Sequence, residues 1–229
     1  MRITFFKIPP SLVNKEEIGK EKTEWPIVVI GRQFGSGGRR IGRLVAEKLG
    51  YAYYDSELLS QAASRLGISK DVFERHEERR PSILRSMLQG AFGIPDNFHD
   101  VSISSERLYK EQSRLIREIA SEGPCVIVGR TADHILRDFP NKVSVFLHAP
   151  LQYRAVQIVV RGEANDTAEA IELAKKHDKC REDYYNYFTG SDAWGLSSNY
   201  DLSLDSSAID IASAADLIVA FCEGKFNKS

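Results

Sequence analysis

Cysteine is scarce: Cys125, Cys180 and Cys222 are the only three among 229 residues. The number is odd and no two are spaced as a metal-binding pair. Neither a disulfide framework nor a zinc site is indicated, and reduced thiols in a cytoplasmic protein are the expectation, with Cys125 inside an apolar run. Long apolar runs are missing too. No stretch approaches the ~18 apolar residues of a membrane span, and the first residues, MRITFFKIPPSLVNKEE, lack the apolar segment of a secretory signal. An excess of one charge is also absent. Lys and Arg number 31 against 32 Asp and Glu, a net charge of −1. No global field would hold a nucleic-acid polymer, so basic clusters are read locally. The five histidines share no metal-ligand spacing. No Ser-His-Asp order, nucleophile elbow, internal repeat, coiled-coil heptad or low-complexity tract is visible.

What is present is an ordinary globular composition, 42% hydrophobic and 28% charged. The length suits one large domain or a domain with an inserted lobe. Residues 1–24 are mixed and read as an arm. Residues 25–229 then alternate strand and helix signals. Ile27 to Ile30 (IVVI) is a short β-branched run, the mark of a strand buried on both faces. A glycine-rich turn follows from Gly31 to Gly38. In the next segment Ile41, Leu44, Val45 and Leu49 fall at helical spacing, and Gly50 is a stop. Tyr51 to Tyr54 reads as a second strand; Asp55 and Ser56 after it can cap a helix through Arg65. Residues 69–121 look largely helical and polar and suggest an inserted helical lobe. Cys125 to Gly129 and Lys142 to Ala149 are further strands. Helices are expected over Leu151–Arg161, 166–188 and Ile209–Glu223, with a fifth strand inside Tyr200–Ser207. Alternation of this kind indicates a parallel sheet with helices on both faces.

The segment IVVIGRQFGSGGRRIG is the most informative. A buried strand delivers the chain to a glycine turn, where backbone N–H groups can approach a ligand, and a helix N-terminus follows with its open N–H groups and partial positive charge. Gly35, Ser36, Gly37, Gly38, Arg39 and Arg40 are therefore candidate phosphate-binding residues. The usual phosphate loop ends in Gly-Lys-Ser/Thr. Here Gly37 is followed by Gly38, Arg39 and Arg40, so lysine and hydroxyl are both missing, and either arginine is the candidate source of charge. A tight turn with solvated arginines is the plain alternative.

GSGGRRIGRLVAEKLGYAYYDSELL resembles the opening of the cytidylate kinase-like family. The resemblance continues in order through CVIVGRTADHILRDFPN, VFLHAPLQYRAVQIVVR, HDKCREDYYNYFTG and SNYDLSLDSS. It implies a three-layer α/β P-loop NTPase fold with a five-stranded parallel sheet of order 2-3-1-4-5, the helical lobe at 69–121 and a helical lid at 161–195. It implies transfer of the γ-phosphate of ATP, with Mg²⁺, to a nucleoside monophosphate. Asp55 and Ser56 match the family's acceptor contact after the second strand. Arg130 matches its Arg after the third, but Thr131 stands where the family has Asp, leaving Asp133 as a possible substitute. Of the lid's Arg-Asp-Arg set, Asp178 and Arg181 are kept, while the first Arg falls at Ala174, next to Lys175. The P-loop lysine falls at Gly38.

Phosphoryl transfer needs alignment and positive charge around the moving group more than covalent help. Arg39, Arg130, Arg161 and Arg181 are expected to converge on a polyphosphate, with Arg39, Arg161 and Arg181 in catalytic roles. Asp55, Ser56, Arg130, Asp133, Arg154 and Asp178 are the substrate-binding candidates; the residues holding the metal are not identified. Plain readings stand beside these. Arg154 and Arg161 are seven apart on one helix and fit a solvated stripe. Asp55 fits a helix cap, Asp178 and Arg181 a surface pair, and Tyr184, Tyr185 and Tyr187 ordinary packing. The expected partners are a nucleoside triphosphate and a small phosphorylated acceptor of the CMP kind; nucleic acid and membrane are not expected, and a homodimer is left open. A nucleotide-binding sensor or scaffold without turnover, or a kinase for a non-nucleotide acceptor, are the competing functions.

Overall fold

A computed structural model describes residues 25–55 and 105–227 of the chain. The expected arm at 1–24, Ser56, the helix through Arg65 and residues 69–104 of the expected lobe lie outside them. Five strands form one parallel sheet: β1 (Ile27–Arg32), β2 (Ala52–Tyr54), β3 (Cys125–Val128), β4 (Lys142–His148) and β5 (Leu202–Asp205). Their spatial order is β2-β3-β1-β4-β5, as the resemblance implied. The described helices are α1 (Gly38–Leu49), α2 (Ser105–Glu122), the single turn α3 (Ala132–Ile135), α4 (Leu151–Val160), α5 (Thr167–Thr189) and α6 (Ile211–Phe226).

The β-branched run at 27–30 behaves as a strand buried on both faces should. Val28 and Ile30 face α1 and α6, where they meet Ile41, Val45, Ala215 and Ile218. Ile27 and Val29 face the other way, toward Leu115, Ile116 and Ala120 of α2 and Ile135 of α3. The period of two along the strand thus separates two helical layers. Each fully buried Ile or Val contributes roughly 1.5–3 kcal/mol over its exposed form, so β1 is the spine of both cores. Helix ends follow local chemistry. Gly50 closes α1 in a left-handed conformation with its N–H bonded to carbonyls of the last turn. Asp166 and Asp210 cap α5 and α6 through their side chains.

All strands being parallel, their C-terminal ends share one edge of the sheet. β1 pairs with β3 on one side and β4 on the other. The crevice outside these ends, where neighbouring connections diverge, is where open α/β sheets bind ligands. The glycine segment lies there.

Candidate active site

The loop after β1 is held from beneath. Gln33 N–H donates to Leu147 O (3.0 Å), and its side-chain oxygen accepts from Ala149 N–H (3.1 Å). Ser36 is buried and donates its hydroxyl to Gln33 O (2.9 Å), so it braces the turn and is not turned toward a ligand. The Ser206 hydroxyl lies 2.8 Å from Ser36 O and 3.1 Å from His148 O and ties the loop to the end of β4. Gly35 (φ 88°) and Gly37 (φ 79°) make the two left-handed steps that only glycine takes cheaply. Among the described residues the N–H groups of Gly35, Gly37 and Gly38 have no partner, and α1 has no side-chain cap. Such N–H groups at a helix N-terminus form an anion site.

Four guanidinium groups gather over this loop, each from a different element. Arg32 ends β1, Arg39 lies in the first turn of α1, Arg130 follows β3, and Arg181 lies midway along α5. Burial disfavours the charged form of Arg32, and the charges of Arg181, Arg39 and Arg130 add to the effect. Burial lowers Arg130 to about 10, with Arg39 acting in the same direction and Asp55 opposing. Burial likewise lowers Arg181 to about 10, against the pull of Asp178. The mutual repulsion of these groups is a standing cost that a polyanion would relieve.

Arg130 reaches the cluster on a contorted backbone. Gly129 (φ 83°), Arg130 (φ 63°) and Thr131 (φ 52°) are three left-handed residues in a row. The two non-glycine members cost on the order of 1–2 kcal/mol each, and strain of this kind collects at functional sites. Gln112 of α2 holds the turn: it donates to Arg130 O (3.3 Å) and accepts from Arg130 Nη1 (3.4 Å). Asp55, 4% exposed, lies close enough to Arg130 to oppose its shift, and it accepts from the Tyr53 hydroxyl (3.4 Å). The acceptor candidates from the second and third strands therefore meet.

The sequence model of the Cytidylate kinase-like family matches residues 27–208. This chain belongs to the cytidylate kinase-like family. It is 27% identical over 172 residues to proteins named cytidylate kinase from Methanosarcina barkeri and Methanosarcina acetivorans, covering 75% of this chain and 82% of each relative. Among solved structures, an uncharacterized protein from Eubacterium ventriosum aligns with a TM-score of 0.64 at 26% identity over 86% of this chain and 98% of that one. The shikimate kinase of Bacteroides thetaiotaomicron shares the fold, with a TM-score of 0.50 at 11% identity over 86% and 98% of the two chains.

The remaining candidates separate into braces and bystanders. In this cytidylate kinase-like chain Asp178 is not a surface group: it faces Arg181 of the cluster and also braces the loop. Its Oδ1 accepts from Phe34 N–H (2.7 Å) and its Oδ2 from Arg154 Nη1 (2.6 Å), while Arg181 stands 3.8 Å away. Arg154 is buried, not part of a solvated stripe, and also donates to Phe34 O and Ala149 O, both at 2.9 Å. Arg154 and Asp178 thus lock the loop to α4 and α5. Ala174, where the family's pattern has the first lid arginine, is fully buried between these helices. Phe34 stacks on His177 (4.2 Å between centroids), with Arg181 5.4 Å from its centroid. Burial, then the charges of Arg181 and Lys176, push His177 down to about 4.

Arg161 is not brought into the cluster: it is exposed, makes a two-bond pair with Glu163 (3.1 and 2.9 Å) and lies 5.8 Å from the Phe34 centroid. Arg39 and Arg40 are both exposed, and Arg39 is the loop arginine whose charge reaches the others. Asp133 accepts from the Tyr185 hydroxyl (2.7 Å) and seats α5 on α3. Tyr184 and Phe188 of α5 pack on Tyr109 of α2, so packing is the role these aromatics take. The sequence reading missed Arg32, because it ended β1 at Ile30. An arginine wedged between a buried strand and a glycine turn was the available signal. It missed Gln112 as well, one polar residue among many on a polar helix.

Proposed function

We propose that this chain transfers the γ-phosphoryl group of ATP to a nucleoside monophosphate of the CMP type. The observation that supports the reading best is the gathering of four guanidinium groups from four segments above a glycine loop with open N–H groups. Family membership and the relatives named cytidylate kinase point the same way. ATP would supply the phosphoryl group, and Mg²⁺ would offset the charge of its phosphates. Among the described residues no group of three or more His, Cys, Asp or Glu could hold a metal, which suits an ion carried mainly by phosphate and water.

In this reading the loop N–H groups and Arg39 hold the donor phosphates. Arg130 and Asp55 orient the acceptor, and Arg181 neutralises charge on the moving group. An acceptor phosphate oxygen bonds to the γ-phosphorus, the bond from that phosphorus to the bridging oxygen breaks, and ADP leaves. An acceptor phosphate is already a nucleophile, so the site needs position and charge more than a strong base. Arg161, paired with Glu163, has no assigned part.

The test is ADP release from ATP and Mg²⁺ with CMP, dCMP, UMP, AMP or GMP. Strong stimulation by CMP or dCMP is the expected result. Tight ATP binding without stimulation by any of them would sink the reading. One observation favours a second reading, a nucleotide-binding protein without turnover: the P-loop lysine position is Gly38. In that case ATP binds with no acceptor-dependent rate.

A further inference from the structure

We propose that the Arg32 guanidinium is the triphosphate-binding cation of this site, doing from the end of β1 what the P-loop lysine does from the first turn of the helix. The proposal rests on the nucleotide reading above.

The geometry begins with two glycines. Gly38 opens α1 without a left-handed φ. Its backbone would accept other residues, and glycine in a helix costs roughly 0.5–1 kcal/mol relative to alanine. Space explains it instead. A Cβ there would stand 2.8 Å from Arg32 Cγ and 2.9 Å from Arg32 Cβ. A Cβ on Gly129 would collide with Arg32 Nη1 and stand 2.8 Å from its Cζ. The arginine stem therefore lies against the start of α1 and its head against the turn after β3. The side chain crosses the mouth of the loop, and the residue that would carry the lysine is reduced to a hydrogen to let it pass.

The second observation is what Arg32 lacks. Its backbone carbonyl accepts from Arg181 Nη1 (3.2 Å). Among the described residues its guanidinium has no hydrogen bond and no carboxylate within ion-pair distance, and the charges acting on it most strongly are those of three other arginines. Among the described residues this partly buried cation is surrounded by cations and has no counterion, a role that a bound anion would fill. The phosphates bound by the loop's open N–H groups would lie beside it.

The experiment uses the full chain. Kd values for ATP and for inorganic tripolyphosphate, which carries no base or ribose, are measured by calorimetry with Mg²⁺ at fixed salt. Melting temperature is measured without ligand. Arg32→Met keeps the stem and removes the charge. It should weaken both ligands by about tenfold or more while leaving the melting temperature equal or higher, because repulsion is relieved. A residue that only packs would give the reverse pair of results. Gly38→Ala, made separately, should weaken tripolyphosphate about threefold or more by displacing the Arg32 stem, although alanine is the better helix former. Wild-type binding that is unchanged in Arg32→Met, or an unfolded Arg32→Met protein beside an unaffected Gly38→Ala, overturns the proposal and leaves the kinase reading standing. A wild-type protein that binds neither ligand overturns both.

Discussion

Two arginines flank the glycine loop in opposite environments. Arg154, on the α4 side, has Asp178 and the carbonyls of Phe34 and Ala149 around it. Arg32, on the β1 side, has other arginines around it. One is a fully satisfied buried ion pair that fixes the shape of the loop. The other is a charge with no counterion among the described residues. The same residue type thus serves as architecture on one side and as a ligand group on the other. The hydrogen-bond inventory of the guanidinium separates the two roles where residue type does not.

The comparison can be broken most severely at its paired side. Arg154→Met strands the Asp178 carboxylate and frees the Phe34 carbonyl, and should cost about 3 kcal/mol or more in chemical denaturation. A cost under about 1 kcal/mol would show that the pair does not hold the loop. Gly35→Ala comes next. It combines a positive φ with a Cβ 2.8 Å from Arg154 Cβ, so a loss of about 2 kcal/mol is expected in the same measurement. On the other side of the loop Arg39→Ala should weaken ATP binding by more than ~1 kcal/mol, and Arg40→Ala by much less. Equal effects would remove the distinction drawn between them.

His177 sharpens the picture through pH. Its ring titrates near 4 when folded and near 6.5 when unfolded. Between those values the unfolded chain takes up a proton that the folded ring refuses, so stability falls as pH drops through that window and is unaffected above it. Because the ring is partly exposed, the expected loss is about 1 kcal/mol. His177→Phe should flatten that part of the profile. The smallest effect belongs to Arg161→Ala, a surface pair worth under ~1 kcal/mol, which should leave ATP affinity within about twofold.

Much of the fold was legible because its signals are local. The IVVI run, the stop at Gly50, the strand–helix alternation and the order of motif blocks needed no long-range information, and the sheet order came with the resemblance. The site was only half legible. The glycine loop, Arg39, Arg130, Arg181 and Asp55 could be named because they sit at strand ends or in motif blocks. The Arg154–Asp178 pair spans 24 positions and two helices, and helical period does not say whether an arginine points inward. Arg130 and Thr131 adopt φ values that nothing in their identity announces. Arg32 escaped because its meaning lies in the emptiness of Gly38 and Gly129, a relation among three segments that meet only after folding.

Helix α5 runs unbroken through 23 residues, roughly 34 Å. It is fastened to α4 by Ala170 and Ala174, to the loop by Asp178, to α3 by Tyr185 and to α2 by Tyr184 and Phe188. A rod held at four places does not fray from its middle. Its amides near the loop and near α2 are therefore bound to exchange with solvent as one cooperative unit. The phosphate loop would gain that same protection through the single N–H of Phe34.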